Sequence, residues 1–283
     1  MALVSSKELL LKAQKGGYAV GAFNVENMEM VMAVLMAAEE QNSPVIMQTT
    51  PGTIKYAGVD YYYANVAAAA ARTRIPVVIH LDHGDSFALA MQAYRAGYTS
   101  IMIDGSKLPL AENIALTRSV VEACHPGNVP VEGEIGIVGG KEDNLHNGDN
   151  ISYTDPLEAK EFAESTQVDS LAIGIGTAHG VYKGTPHVNV ECLSEIRKMV
   201  ETPLVLHGTS GVPDDQVREC VKRGICKVNY ATDLRIAFTN GTKSFMKENP
   251  ETFDPKKYAA RAMQEVTTYV KQKMDVIGST GKA

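Results

Sequence analysis

The sequence predicts a closed (β/α)8 TIM barrel with a C-terminal helical extension, on three observations. Short β-type runs alternate with helical stretches along most of the 283 residues, a pattern that implies parallel strands joined by crossover helices. Eight such runs fill one domain-sized length, which favours a closed barrel over an open doubly wound sheet. The C-terminal ends of the runs are nearly all polar, whereas the opposite ends are mostly Pro, Gly, Val and Ser. Barrel active sites sit at the C-terminal ends. A single domain is expected over 1–283, with the barrel at about 18–232 and the extension at about 233–283. No GxGxxG follows an early run, which disfavours a dinucleotide-binding open sheet.

Composition narrows the class. The chain is 45% hydrophobic and 21% charged with a net charge of -6. That is the balance of a soluble globular protein, and it weighs against nucleic acid or an anionic membrane as the main partner. No stretch resembles a signal peptide or a membrane span, and the 4 cysteines lack CxxC spacing. Reduced thiols in a cytoplasmic protein are expected.

The chain opens on a short amphipathic helix, with Ser5 and Glu8 spaced as a capping box and Gly16-Gly17 as the stop. The strand runs follow at 18–24 (YAVGAFN), 44–48 (PVIMQ), 77–81 (VVIHL), 99–104 (TSIMID), 129–134 (VPVEGE), 170–175 (SLAIGI), 203–207 (PLVLH) and 226–230 (CKVNY). Helical patterns lie between them at 28–40, 86–96, 110–124, 155–166, 190–200 and 214–223. Met28, Met32 and Met36 repeat every four residues and read as a helix core face. Residues 49–63 read as a short loop. The longest irregular stretch, 136–153, reads as a lid or an insertion, with Glu142 and Asp143 beyond a Gly139-Gly140 hinge. Past Tyr230 the pattern is helical, and Tyr258, Ala262, Val266, Val270 and Met274 form one apolar stripe.

The polar strand ends carry the chemistry. They supply Asn24, Gln48, Thr49, Asp82, His83, Asp104, Glu134, the segment from Thr177 to Gly180, His207 and Asn229. Three of the 7 histidines fall there, His83, His179 and His207, each followed by glycine. Three imidazoles converging on one rim suit Zn2+ or a similar divalent ion with an open position. Asp82 directly precedes His83 and can stand beside a metal-bound substrate as a general acid or base. Asp104 and Glu134 offer an alternative or second cation site, or orient the histidines. Glu132 shares the strand face of Glu134. His80, inside its run, reads as a hydrogen-bonded core histidine; His125, His146 and His187 carry no expected role. The loop His207-Gly208-Thr209-Ser210-Gly211 and the turn Asn229-Tyr230-Ala231-Thr232 lead towards a helix capped by Thr232 or Asp233, a setting for phosphate.

These residues resemble the class II, metal-dependent ketose-bisphosphate aldolases, of the type acting on tagatose or fructose 1,6-bisphosphate. The resemblance rests on GAFN at Gly21, HLDHG at His80, MIDGS at Met102, EGEIGIVGGKED at Glu132, GTAHGVYKG at Gly176, LHGTSG at Leu206 and KVNYATDL at Lys227, which together span nearly the whole chain. It implies reversible aldol cleavage to dihydroxyacetone phosphate and glyceraldehyde 3-phosphate. It also implies that His83, His179 and His207 bind the catalytic zinc, with Asp104 and Glu134 as an alternative or second metal site. Asp82 would serve the C4 hydroxyl, and Glu142 would exchange the C3 proton. Substrate would meet Asn24, Gly180, Gly208, Thr209, Ser210, Asn229, Tyr230, Ala231 and Thr232, with Na+ or K+ assisting. Lys256, after Asp254-Pro255, stands where arginine is common and would reach the other phosphate from a neighbouring subunit of a homodimer or homotetramer. Some tagatose-type members work with a companion subunit. Loop 49–63 and the wording of 176–184 lean towards tagatose. The rival readings are a Schiff-base aldolase using Lys227, a zinc barrel hydrolase or epimerase, and a silent subunit.

Overall fold

Runs of aliphatic and β-branched residues, buried along their whole length, pair in parallel and close on themselves. In the computed structural model, residues 3–142, 145–148, 153–182, 184 and 186–283 are described, with the side chains of 141–142 and 145–148 left out. The barrel strands are β1 (Val20–Asn24), β2 (Val45–Thr49), β3 (Val77–Gly84), β4 (Ser100–Ile103), β5 (Val131–Ile135), β8 (Ser170–Ile173), β10 (Leu204–Leu206) and β11 (Ile225–Tyr230). They neighbour one another in that order, and β11 returns to β1. The helices are α1 (Ser6–Gly16), α2 (Met28–Glu40), α3 (Pro51–Ala57), α4 (Val59–Ala70), α5 (Phe87–Ala96), α6 (Leu110–Cys124), α7 (Pro156–Thr166), α8 (Val190–Met199), α9 (Asp214–Lys222), α10 (Thr232–Glu248) and α11 (Pro255–Val276). None is long and apolar enough to cross a membrane among the described residues.

Alternation along each strand sorts the side chains into two layers. Outward residues such as Phe23, Met47, Ile79, Ile101, Leu171 and Val228 join the helix layer in one core. Inward residues fill the barrel. At its N-terminal mouth, Val20, Ala22, Ile46 and Val78 meet Leu9, Leu10 and Ala13 of α1, which plugs the opening. Ser5 caps α1 by accepting from the Lys7 N–H, and Gly17 ends it at φ 65°. Higher up, Met102, Ala172 and Val205 form a small apolar group. Polar residues occupy the rest of the interior.

Several expectations change in the structure. Residues 49–63 are largely helical: Thr50 caps α3 at the Thr53 N–H, Pro51 opens its first turn, and Gly58 at φ 90° separates it from α4. The alanine- and tyrosine-rich α4 carries no strong polar face, so its periodicity is weak in the sequence. The methionine row on α2 faces outward, with Met28, Met32 and Met36 exposed by 52%, 45% and 42%. The buried face is the smaller set Met30, Val31, Ala33, Val34, Ala37 and Ala38, whose short side chains admit close packing against neighbouring elements. The C-terminal stripe behaves as expected from Ala262 to Met274, which are buried where α11 packs on α2 and α10. The Ala19 N–H donates to the Ile277 carbonyl and ties the end of the chain to the start of the barrel.

Stretch 136–153 is not irregular throughout. β6 (Gly139–Glu142) and β7 (Leu145–Gly148) pair antiparallel, and β6 pairs in parallel with β9 (Ala178–His179). The polar sequences GGKE and LHNG lack the usual strand signature, and β9 lies far away in the chain. α10 starts without a side-chain cap, with Ala231 at the cap position. Neither Thr232 nor Asp233 caps it; the Asp233 N–H instead donates to Ser210 Oγ at 3.3 Å.

Candidate metal and active site

β3 runs three residues further than the apolar pattern suggests, to Gly84, so Asp82 and His83 belong to the strand. The register against β4 shifts between Leu81 and Gly84, and His83 takes φ 50°. A non-glycine residue in that region is uncommon. Here it belongs to an irregularity that turns consecutive acidic and imidazole side chains towards the same rim. His207 follows β10 directly, and His179 ends β9.

The three histidines do converge. Ring centroids lie 4.9 Å apart for His83–His179, 4.7 Å for His83–His207 and 6.1 Å for His179–His207. One ring nitrogen from each falls within 4.8 Å of the others. A second group, His83, Asp104 and Glu134, meets the same criterion. His83 Nδ1 donates to Asp104 Oδ2 at 2.9 Å, and His207 Nε2 donates to Glu132 Oε1 at 3.0 Å. An ionised carboxylate can only accept, so both rings spend their N–H on an acid. His83 Nε2 and His207 Nδ1 are left facing each other at 2.9 Å. Two lone pairs at that distance would repel, so the contact needs a proton, which the raised proton affinity of His83 supplies at Nε2, or a metal cation in its place. Glu134 Oε2 sits 3.7 Å from a nitrogen of each of these rings, with no hydrogen-bond partner of its own. Burial, then the Asp104 charge, push the Glu134 carboxyl well up. A buried acid oxygen with no donor, beside two imidazole nitrogens that must share a proton or a metal, fits a divalent cation.

Asp82 is held beside this group. Its Oδ2 accepts from Asn24 Nδ2 at 2.9 Å and its Oδ1 from Asn229 Nδ2 at 3.0 Å. Asn24 in turn accepts from Gln48 Nε2 at 2.8 Å. Burial pushes the Asp82 carboxyl up, but the charges of His83, His207 and Lys227 outweigh it and bring the group down to about 2. Burial lowers His83 as well, yet Asp82, Asp104 and Glu134 hold it well above the usual histidine range. His179 goes well down through burial and the nearby His83 and His207.

A recess opens next to the histidines, lined by His179, Gly180, Gly208, Thr209, Ser210, Asn229, Ala231 and Thr232. Every one of these is a residue expected at the rim. Gly208, at φ 64°, lies so close to Ala178 that a Cβ would fall 2.8 Å from its carbonyl. Tyr182 Oη accepts from the Ala178 N–H and donates to the Gly208 carbonyl, both at 2.7 Å, fastening the two loops. Two expected residues sit differently. The Tyr230 ring points out of the barrel and stacks on Phe23 at 5.6 Å, so only its backbone faces the rim. Lys256 is exposed in the first turn of α11 and pairs with Asp254 at 2.9 Å; no described contact joins it to the rim. The Glu142 backbone ends β6, while its side chain and all of Asp143 lie outside the described residues.

Glu132 serves inside the barrel, as the strand face it shares with Glu134 allowed, and Lys227 joins it there as its ion-pair partner. Lys227 Nζ, 1% exposed, donates to both Glu132 oxygens at 2.9 Å. The alternation that places Glu132 beside Glu134, and Lys227 beside Asn229, was the available signal. The core reading of His80 fits: its Nδ1 meets Ser100 Oγ at 2.7 Å, and burial followed by the Lys227 charge lowers it to about 3.

The chain matches the family model described as fructose-bisphosphate aldolase class-II over residues 4–282. It is similar to the crystal structure of the YdjI aldolase from Escherichia coli K12, at 35% identity and TM-score 0.88 over 99% of each chain. A putative fructose-1,6-biphosphate aldolase from Coccidioides immitis superposes with TM-score 0.88 at 29% identity, covering 97% of this chain and 96% of that one. Fructose-bisphosphate aldolase (Fba) from Campylobacter jejuni, at 24% identity, TM-score 0.84 and coverage of 100% and 97%, supports the fold alone.

Proposed function

The chain belongs to the class II fructose-bisphosphate aldolase family, and from that premise we propose that it cleaves a ketose 1,6-bisphosphate, tagatose or fructose, at a zinc centre. The products are dihydroxyacetone phosphate and glyceraldehyde 3-phosphate. The observation that carries the reading is the meeting of three imidazoles with one ionised carboxylate, Asp82, beside a glycine-lined recess. His83, His179 and His207 would hold the ion, and Asp104 and Glu134 would hold a second divalent ion or the same one displaced. When bound, zinc supplies a Lewis acid for the C2 carbonyl and C3 hydroxyl oxygens of the sugar.

The protein groups then do the following work. Asp82, kept ionised and aimed by Asn24 and Asn229, takes the C4 hydroxyl proton. The C3–C4 bond breaks, C4 leaves as the aldehyde, and the electron pair stays on C3, delocalised into the C2 carbonyl. Glu142 delivers the proton to C3 that completes dihydroxyacetone phosphate. Condensation runs the same steps backwards. The backbone N–H groups of Gly180, Gly208, Thr209 and Ser210, with the turn Tyr230-Ala231-Thr232 that leads from β11 into α10, hold the phosphate of that half. A monovalent cation, Na+ or K+, would add positive charge beside that phosphate. Lys256 from a neighbouring subunit of a homodimer or homotetramer meets the other phosphate, as a point charge rather than a bidentate fork. The four free thiols suit a cytoplasmic setting.

Side-by-side cleavage of both bisphosphates, with and without chelator, tests the reading. Cleavage that is lost on chelation and restored by Zn2+ is expected. Cleavage untouched by chelation would overturn it. Metal binding with neither sugar cleaved would redirect it to another phosphorylated ketose or to a required companion subunit.

A further inference from the structure

Beneath the three histidines the barrel holds a second layer of polar side chains that the proposed reaction leaves without a task. The three N–H bonds of Lys227 all have acceptors: Glu132 Oε1 and Oε2 at 2.9 Å, and His80 Nε2 at 3.3 Å. Accepting at Nε2 makes His80 a donor at Nδ1, where Ser100 Oγ lies at 2.7 Å. Ser6 of α1 donates to the same Ser100 oxygen at 2.9 Å. On the other side, Glu132 Oε2 accepts from Ser170 Oγ at 3.0 Å and Oε1 accepts from His207 Nε2 at 3.0 Å. Lys227, Glu132, His80 and His207 are each no more than 1% exposed. A continuous hydrogen-bonded chain therefore runs from the α1 plug to the rim, in which Lys227 donates to both sides and the donors converge on Ser100 at one end and on Glu132 at the other.

Burying a lysine and a glutamate is costly, and an apolar pair of similar volume often serves stability as well. The pair does something an apolar pair cannot. We propose that the Lys227–Glu132 ion pair is a positioning device for His207: it presents at 3.0 Å an acid that can only accept, nearer than the Asn229 amide nitrogen at 3.2 Å, so His207 donates from Nε2 and turns Nδ1 towards His83 and the metal. Asp104 imposes the matching choice on His83, whose Nδ1–H it accepts at 2.9 Å. A neutral acceptor such as an amide or hydroxyl could also donate and would allow either tautomer. The inference rests on the metal reading of the three histidines only for its effect on affinity; the tautomer itself is a property of the metal-free chain.

The test separates the two. With 7 histidines in the chain, histidine-selective 15N labelling gives a readable spectrum, and H207N assigns the His207 signals. The metal-free wild-type chain is expected to show His207 protonated at Nε2. Two double variants remove the charges while keeping the volume. In E132L/K227M the orienting acceptor is gone, and in E132Q/K227M an ambivalent one remains. E132L/K227M is expected to show mixed tautomers and about 10–100-fold weaker Zn2+ binding in competition with a chromophoric chelator, the loss typical of removing an orienting partner. E132Q/K227M should fall between it and the wild type in both readouts. Either double variant, folded and with wild-type tautomer and affinity, would overturn the inference. So would a wild-type His207 protonated at Nδ1. A wild-type chain that holds Nε2–H but binds no Zn2+ would instead overturn the metal reading and leave the positioning inference intact.

Discussion

Asp82→Ala should leave the metal in place and remove the chemistry. The carboxylate belongs to neither cation group, whose members are His83, His179, His207, Asp104 and Glu134. Its two oxygens are taken by the Asn24 and Asn229 amides at 2.9 and 3.0 Å. Deleting it removes the group positioned to take the C4 proton, an effect of about 10²–10⁴-fold for a general base. At 1.36 kcal/mol per decade that raises the barrier by about 3–5 kcal/mol. Two buried amide donors also lose their acceptor, at about 1–3 kcal/mol each before rearrangement. Asp82→Asn, which keeps the volume, is the companion variant: it sets an amide against two amides and should lose activity to a similar degree. The assay pairs metal content by elemental analysis with single-turnover cleavage of both bisphosphates. A variant that folds, loses its metal and loses activity would refute the acid–base assignment and make Asp82 a ligand or a support for one. A variant that keeps most of its turnover would refute it outright.

Metal binding should release protons. His83 is held well above the ordinary histidine range in the metal-free chain, against the pull of burial, by Asp82, Asp104 and Glu134. It carries a proton at neutral pH that a metal must displace. Affinity should rise with pH through the neutral range and level off above the raised value, read by indicator-dye uptake of protons alongside the chelator competition; pH-independent affinity would contradict this. Gly208→Ala should weaken substrate binding and destabilise the loop, because φ 64° costs a residue with a Cβ about 1–2 kcal/mol and that Cβ would lie 2.8 Å from the Ala178 carbonyl carbon. The measurement is KM together with Tm, and an unchanged KM would contradict the placement of the recess. Borohydride with substrate should not inactivate the enzyme, since Lys227 is an ammonium with all three N–H bonds engaged; covalent trapping on Lys227 would revive a Schiff-base route.

The barrel was legible because each strand is a short apolar run bounded by Pro or Gly, and because its polar residues cluster at one end. Helix boundaries such as 28–40 and 110–124 were legible to the residue, the first opening on Asn27, which caps the Met30 N–H, and the second directly after Pro109. α3 and α4 were not: α3 is only 7 residues long and opens on Pro-Gly, α4 is rich in Tyr and Ala, and Gly58 breaks the period between them. The α2 face was misjudged because Met28, Met32 and Met36 share a four-residue spacing, whereas the buried face runs through Met30 and the smaller Ala33, Val34, Ala37 and Ala38. β6 and β7 were hidden because their partner strand lies far along the chain at Ala178. Within the site, His83, His207 and Asp82 could be named from barrel-strand ends. His179 comes instead from the separate strand β9, past Ile173 where β8 ends, and so stood out in the sequence through its neighbouring glycine. What the sequence does not carry is which nitrogen faces which acid. That depends on the positive φ of His83 and on Glu132 reaching across the barrel to His207.

The small sheet β7-β6-β9 has a practical bearing on any attempt to transplant specificity. His179 is not mounted on the barrel wall; its backbone is laddered to Gly140, and the same strand leads to Glu142. At Gly140 a Cβ would fall within 2.1 Å of the His179 carbonyl oxygen, so the ladder tolerates only glycine there. The hairpin and residues 178–179 thus form one interchangeable part made of two separate stretches of chain. A chimaera that exchanges the hairpin alone leaves the third imidazole aligned to a scaffold that has been removed. Grafts in this fold should therefore be cut in two places, and libraries that vary hairpin length should be screened for metal retention before turnover.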